Sequence, residues 1–208
     1  MKYYIFIIVA VLMLPMGLSG QSIKGIDEIA PFSEGLAAVR KGQQWGFINE
    51  EGDMVIDFRD DIYTNPKVDV TKTDVLGVKY PMFNEGLCLI KRTVEDGVPV
   101  FGFINKTGEV VIEPQFLNVF PFKNGYTTAV LFDKNFKGEN EFKLKIYEFK
   151  FFDVRLNTAG EITDYFEKRD HIQMTIKRYE MPEIGAKIIN ENLVATKKVG
   201  KGWSIVKL

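Results

Sequence analysis

Two short sequence motifs occur twice in this chain, about fifty residues apart. Residues 32–36 (FSEGL) are followed by 45–49 (WGFIN), and residues 83–87 (FNEGL) are followed by 101–105 (FGFIN). Repetition at such a period indicates that one supersecondary unit is copied along the chain and that neighbouring copies share a core. The repeat therefore constrains the architecture strongly, and it carries no comparable information about chemistry.

Each copy has the pattern of a three-stranded β-meander. The motif N-x-x-G starts at Asn49, Asn105 and Asn157, and an apolar stretch follows each time. Asn can bond its own backbone two residues on, and Gly accepts the positive φ that closes a type I turn with a bulge. We therefore predict an all-β fold of tandem meanders in an open curved or propeller-like array. The residues predicted to carry the repeat are Phe32, Gly35, Trp45, Gly46, Asn49, Gly52, Phe83, Gly86, Phe101, Gly102, Asn105, Gly108, Asn157, Gly160 and Trp203.

A glycine follows the aromatic residue in the middle strand of the first two copies, at Gly46 and Gly102. Glycine lacks the side chain that strand propensity favours, so we expect a close approach or a bend there. The favoured interpretation is that the neighbouring aromatic ring lies across the gap, and the alternative is a ligand that approaches the bare backbone. In the third copy Val154 and Arg155 stand where Gly and Phe are expected, which predicts a divergent middle strand.

The copies form one predicted domain, residues 21–208. They cover about 31–57, 81–116 and 120–162, and a partial copy at 190–208 has the character of a capping repeat.

Residues 1–20 have the pattern of a secretory signal peptide. Lys2 precedes an apolar run over residues 5–14, and small residues lead to a predicted cleavage after Gly20, or alternatively after Ser19. The run is shorter than the roughly 20 apolar residues that span a bilayer, so we expect no stable membrane insertion after the signal is removed. Gln21 stands where a lipoprotein carries its lipidated cysteine. We expect export to the periplasm or the exterior of a bacterium, without a lipid anchor.

The repeated phrases resemble those of bacterial WG-repeat proteins, which combine an F-x-E-G-L-A-like opening with a W-G-[FY]-I-[ND] strand and a V-I-x-P end. Trp45 and Gly46 supply the Trp-Gly pair in the first copy. Residues 111–114 (VIEP) supply the proline end in the second copy, where Phe101 replaces the tryptophan. The resemblance implies β-repeat modules, mostly of unassigned function and often taken to bind other macromolecules, and it implies no catalytic residues.

The composition argues against several kinds of chemistry. The formal net charge is −1, with both signs interspersed, so we expect neither nucleic-acid binding nor a polybasic membrane patch. His171 is the only histidine, which rules out a multi-histidine metal site. Cys88 is the only cysteine and lies in an apolar pattern typical of an inert buried thiol. We therefore predict no catalytic residue, no cofactor and no metal.

Insertions interrupt the repeat at three places. The connections from Ile56 to Glu85 and from Ile162 to Glu191 are about seventeen residues longer than the equivalent connection in the second copy. Residues 164–180 are predicted to contain a short helix. In the insertion at residues 131–150, residues 142–150 alternate apolar and charged side chains with one slip at Tyr147, which predicts a strand with one apolar and one charged face. We expect this strand to belong to an extended or added hairpin, or alternatively to form a sheet edge that recruits a partner strand.

Aromatic residues of the insertions are the candidate binding surface, because flat rings stack on sugars and anchor protein interfaces. Packing of the insertions onto the array is the alternative explanation. The candidates are Tyr63, Tyr80, Tyr165, Phe166 and Tyr179.

We therefore expect an exported, non-enzymatic repeat module that binds a protein or an envelope component such as a glycan. One alternative is a glycan- or peptidoglycan-active hydrolase that uses Asp60 and Asp61, because paired carboxylates serve glycoside hydrolysis. Another is a purely structural or adhesive surface protein.

Overall fold

The computed structural model describes residues 22–94, 97–169, 171–198 and 200–208. The predicted signal peptide lies outside these residues. The first antiparallel sheet contains β1 to β4, the second β5 to β10 and the third β11 to β13, always in chain order. The strands are β1 Glu28–Ile29, β2 Ala37–Lys41, β3 Gln44–Ile48, β4 Met54–Arg59, β5 Leu87–Val94, β6 Val98–Asn105, β7 Val110–Val119, β8 Tyr126–Glu139, β9 Lys145–Asn157, β10 Ile162–Lys168, β11 Ala186–Asn190, β12 Leu193–Lys198 and β13 Gly202–Lys207, and one 3-10 helix covers Val75–Gly77.

The predicted meanders are present as β2–β4, β5–β7 and β8–β10. β7 is long enough to pair with both of its neighbours. Its Ile112 lies opposite Phe103 of β6 and its Val119 opposite Ala129 of β8, so the second and third copies share one sheet. The predicted all-β class of meander repeats is confirmed, and the sheets are not closed into a barrel.

The predicted short helix within residues 164–180 is wrong. The first part of this stretch belongs to β10, where Asp164 accepts a hydrogen bond from Arg155 of β9 at 2.7 Å and Tyr165 packs edge-on against Phe152. These contacts across the sheet recruit the segment as the third strand of its meander. The predicted extended hairpin over residues 131–150 is confirmed, since β8 and β9 pair from Tyr126 to Glu139.

The two middle-strand glycines are explained by the neighbouring strand. A Cβ at Gly102 would lie 2.3 Å from the carbonyl oxygen of Ile112 and 2.6 Å from the nitrogen of Pro114. A Cβ at Gly46 would lie 2.7 Å from the carbonyl oxygen of Ile56. The third strand bulges here and brings its backbone across the glycine, so the expectation of a close approach is right. The aromatic ring expected to fill the gap is not what fills it.

Two kinds of turn recur. In the N-x-x-G turns the side chain of Asn105 accepts hydrogen bonds from the N–H groups of Thr107 and Glu109, and Gly108 has a φ of 86°, as predicted. The motif that opens each copy, residues 32–36 in the first copy, forms a second kind of turn. Glu34 and Gly35 have successive positive φ values of 52° and 84°, which is the geometry of a two-residue type I′ hairpin turn. The pairs Glu85–Gly86 and Asn124–Gly125 repeat this geometry.

Neighbouring copies are joined by the opening phenylalanine. Phe83 of the second copy packs edge-on against Phe47 in the middle strand of the first, with ring centroids 4.8 Å apart. Phe122 of the third copy packs in the same way against Phe103 of the second, at 5.1 Å. Phe47, Phe83, Phe103 and Phe122 are all buried, so the apolar core continues from one copy to the next.

Candidate functional site

An apolar cleft of about 370 Å³ lies between the first insertion and the start of the third copy. Its lining includes Leu87, Leu89 and Phe103 of the second sheet. Further lining residues come from two stretches, 75–83 and 119–122, which contain Pro81, Met82, Phe83, Phe120, Pro121 and Phe122. We call it the insertion cleft. Nothing in the sequence pattern indicated it, because it depends on how the first insertion folds back over the array.

A buried polar network holds one wall of the cleft. Asp74 accepts a hydrogen bond from the N–H of Leu76, which caps the 3-10 helix, and another from Nδ2 of Asn118 in β7 at 2.9 Å. Asn118 also donates to the carbonyl of Pro182 at 3.0 Å. An unpaired buried polar group costs about 1–3 kcal/mol, so each partner depends on the others. The network ties the first insertion and the 182 region to β7.

Tyr63 supplies a hydrogen-bond donor to the cleft lining. It is 9 % exposed, and its ring packs edge-on against Phe101 with centroids 4.8 Å apart. Burial, with a smaller contribution from the charge of Asp74, raises the pKa of Tyr63 to about 12. The hydroxyl therefore stays protonated over the ordinary pH range. Within the described part of the chain this hydroxyl has no hydrogen-bond partner, so its donor is not used by another residue of the fold.

The rim of the cleft is fixed by contacts between successive turns. Ser33 donates through its hydroxyl to the carbonyl of Phe83 at 2.7 Å. The carboxylate of Glu34 accepts hydrogen bonds from the N–H groups of Glu85 and Gly86 at 2.6 and 2.9 Å. Glu85 in turn accepts from the N–H of Gly125 at 2.7 Å. The glutamate of each opening phrase thus binds the turn of the next copy, an arrangement we call the carboxylate latch (Glu34 and Glu85).

The latch gives a testable pH dependence. Burial alone would raise the pKa of Glu34, but the N–H groups of Gly86 and Glu85 and the ammonium of Lys106 outweigh it and hold the pKa below its ordinary value of 4.5. We expect Glu34→Gln to lower the free energy of unfolding by about 1 kcal/mol at pH 7, because the variant loses the charge that accepts these hydrogen bonds. The loss is no larger because water screens an exposed charged group. A group with a lowered folded pKa stabilises above its unfolded pKa, so the wild-type advantage should shrink as pH falls below 4.5.

Urea denaturation at pH 7 and at pH 3 measures this difference. Glu50→Gln is the matched control, because Glu50 is exposed and makes no latch contact. A Glu34→Gln difference that is the same at both pH values would contradict the role assigned to the charge of Glu34.

The structure divides the five aromatic candidates among different places. Tyr63 and Tyr80 both line the insertion cleft, Tyr63 as a buried residue and Tyr80 as a half-buried one. Tyr179 is half-buried against the apolar cluster that contains Phe151, and desolvation raises its pKa. Tyr165 and Phe166 lie on β10, where Tyr165 is exposed. Tyr63 is therefore a packing residue that reaches a cleft, and the five do not form one surface.

The residues considered for catalysis are not assembled into a site. Asp61 is held by Arg59 through two hydrogen bonds of 2.5 and 2.7 Å, and the adjacent Asp60 is exposed. His171 is exposed. Cys88 is buried, which raises the pKa of its thiol to about 12. Across residues 22–208, apart from the four undescribed positions, no cluster of His, Cys, Asp and Glu has the arrangement of a metal site.

The fold and these contacts define an array of β-meander repeats in which each copy is bound to the next. The model of the family described as WG containing repeat matches residues 25–45, 45–59 and 101–134. These stretches therefore match WG repeats, and the resemblance seen in the repeated motifs is confirmed. No curated protein and no solved structure matches the chain. None of the helices in the described residues has the length and apolar character needed to cross a membrane.

Proposed function

We propose that this WG-repeat chain is an exported, non-catalytic module that binds a partner protein through the insertion cleft. The observation that carries the proposal is the cleft itself. Its volume of about 370 Å³ lies within the range of pockets that bind ligands, and it combines apolar walls with the free hydroxyl of Tyr63. A protein partner would insert one apolar anchor side chain and accept a hydrogen bond from Tyr63.

Construction of the cleft supports this proposal. The buried Asp74–Asn118 network fixes one wall of the cleft on β7, and the contacts of Glu34 fix its rim. A preformed pocket favours affinity, because its side chains lose little conformational entropy when the partner binds.

Export is part of the proposal and is supported by the signal pattern of residues 1–20. The near-neutral charge supports a protein partner over a nucleic acid. A hydrolase that uses Asp60 and Asp61 is the weaker alternative, because Asp61 is already bound by Arg59. A purely structural role would leave the cleft without an occupant.

The proposal is tested by filling the cleft. Val78 lines it and is half-buried, so we expect Val78→Trp to occupy the cavity and to reduce partner binding at least tenfold. The same substitution at Val70, which lies in the same insertion but is 88 % exposed and outside the cleft, is the matched control.

The measurement is a crosslinking pull-down from envelope extract with three baits: the chain from Gln21, its Val78→Trp variant and its Val70→Trp variant. A photoreactive phenylalanine analogue at position 80 reports whether the captured protein touches the cleft. We expect capture and crosslinking to be lost only with Val78→Trp. A partner captured equally by all three folded baits would refute the cleft as the binding site.

A further inference from the structure

The two longest strands in the described residues, β8 and β9, extend beyond their sheet as a hairpin. β8 has its last pairing with β7 at Leu131, and β9 has its last pairing with β10 at Phe152. Beyond these points the two strands pair only with each other, out to Glu139 opposite Lys145. We call residues 133–150 the hairpin arm. In the described residues no other strand covers either of its outer edges.

The outer end of the arm is apolar on both faces. Phe136 lies opposite Tyr147 on one face, where their rings are in edge contact with centroids 5.7 Å apart. Successive side chains of a strand point to opposite faces, so Ile146 of β9, which is 48 % exposed, lies on the other side from Tyr147. At the turn Phe142 is 82 % exposed, and Leu144 is 63 % exposed.

Charged residues at the tip are balanced. Glu139, Glu141, Lys143 and Lys145 surround the apolar side chains, two of each sign. Towards the base, Glu148 is held by Lys137 at 2.8 Å and by Lys150 at 3.5 Å. The base of the arm is therefore a closed ion-pair cluster, whereas the tip presents apolar groups with both charges beside them.

We propose that the tip of the hairpin arm inserts reversibly into the boundary between headgroups and acyl chains of a zwitterionic phospholipid membrane. A flat protein surface or a second copy of the chain would cover one face of a ribbon and leave the other apolar face in water. A lipid interface surrounds the tip and covers both faces. The balanced charges complement the phosphate and ammonium groups of zwitterionic headgroups.

The dimensions of the tip agree with this setting. From the Phe136–Tyr147 pair to the Glu139–Lys145 pair β9 advances two residues, about 7 Å at roughly 3.3 Å per residue, and β8 takes up its one extra residue in a bulge. Interfacial segments bury their apolar groups about 5–10 Å deep. The aliphatic parts of the Lys143 and Lys145 side chains are long enough to keep their ammonium groups in water at such a depth. The contact is shallow and peripheral, and it does not require a membrane-spanning segment.

Vesicle sedimentation tests the proposal. The protein from Gln21 onward is mixed with phosphatidylcholine vesicles, which avoids the apolar residues 5–14 that would bind lipid by themselves. We expect the wild type to sediment with the vesicles, and the double variant Phe142→Ser, Leu144→Ser to partition at least about tenfold less.

The matched control is the double variant Val70→Ser, Ile205→Ser. It changes two exposed apolar residues away from the arm and should change partitioning less than about twofold. Adding phosphatidylglycerol should change the affinity little, because the tip charges cancel.

A second readout locates the contact. Phe142→Trp places a fluorophore at the tip, and brominated lipids should quench it when vesicles are present. Wild-type protein that fails to sediment would overturn the proposal. So would sedimentation that survives the tip substitutions, or a tip tryptophan that lipid does not quench. If lipid does not quench the tip tryptophan and a photoreactive phenylalanine analogue at position 142 instead crosslinks to an envelope protein, the arm is a protein-docking element and the lipid proposal fails.

Discussion

Gly102→Val should prevent the second copy of the repeat from folding. A side chain at this position would meet backbone atoms, with its Cβ 2.3 Å from the carbonyl oxygen of Ile112 and 2.8 Å from the carbonyl carbon of Glu113. These atoms belong to the bulge of β7, the strand that joins the second and third copies. We expect a loss of about 4 kcal/mol or more, which is a large part of the stability of an ordinary domain.

Far-UV circular dichroism with urea denaturation measures this effect. Ser204→Val is the matched control, because Ser204 follows Trp203 in the last copy as Gly46 follows Trp45 in the first, yet it is exposed. No described strand lies on the outer side of β13, so the control should change stability by no more than about 0.5 kcal/mol. If Gly102→Val were as stable as Ser204→Val, the close approach of the bulge would not be what requires the glycine.

Comparison of the copies explains why glycine is dispensable in the third. Val154 occupies the glycine position there and pairs directly with Tyr165. β10 has two irregularities, one between Ile162 and Asp164 and one between Tyr165 and Lys168, and the Val154–Tyr165 pair lies between them. Displacing the bulge from the middle residue leaves room for a side chain. The divergent sequence of the third copy is therefore a consequence of where its third strand bulges.

The local parts of the fold are the ones that sequence predicts well. An N-x-x-G turn is encoded by residues that touch one another, so Asn105 and Gly108 were sufficient to place it. The type I′ turns were missed, although Asn124–Gly125 is the residue pair that this turn favours. The helix expected within 164–180 was wrong because contacts to Arg155 and Phe152 override local preference there.

The insertion cleft could not be predicted from the sequence, because contacts between residues far apart in the chain form it. Its wall depends on Asp74 meeting Asn118, which are 44 positions apart, and nothing in either local sequence specifies that meeting. Tyr63 looked like an exposed insertion residue because its burial depends on Phe101, which lies in another copy of the repeat. The arm is different, because alternation along residues 142–150 was enough to predict its strand, although the consecutive apolar residues Ile146 and Tyr147 put exposed apolar side chains on both faces instead of one.

Arg169→Met should loosen the attachment of the third sheet. Asp153 of β9 is 2 % exposed and accepts hydrogen bonds from Nε of Arg169 at 2.9 Å and from the N–H of Gly185 at 2.8 Å. Gly185 immediately precedes β11, so this carboxylate ties the third sheet to the second. Removing the guanidinium leaves a buried carboxylate with one remaining partner, and loss of one member of a buried pair costs about 3–5 kcal/mol. Because Arg169 is partly exposed, we expect the lower end, about 3 kcal/mol at pH 7.

The charge of Asp153 makes this loss depend on pH. Burial raises the pKa of Asp153, and Arg169 and the Gly185 N–H partly offset the rise. Without Arg169 the folded pKa rises further above the unfolded value. A group with a raised folded pKa favours folding at low pH and loses that contribution as pH rises, so the defect should be small near pH 4 and complete at pH 7. Urea denaturation at both pH values measures the loss of stability, with Lys168→Met as the matched control.

Adding Asp153→Asn to Arg169→Met should recover part of the stability at pH 7, because the amide removes the unpaired buried charge. A defect independent of pH and not relieved by Asp153→Asn would assign the loss to the bond between Arg169 and the Glu183 carbonyl instead.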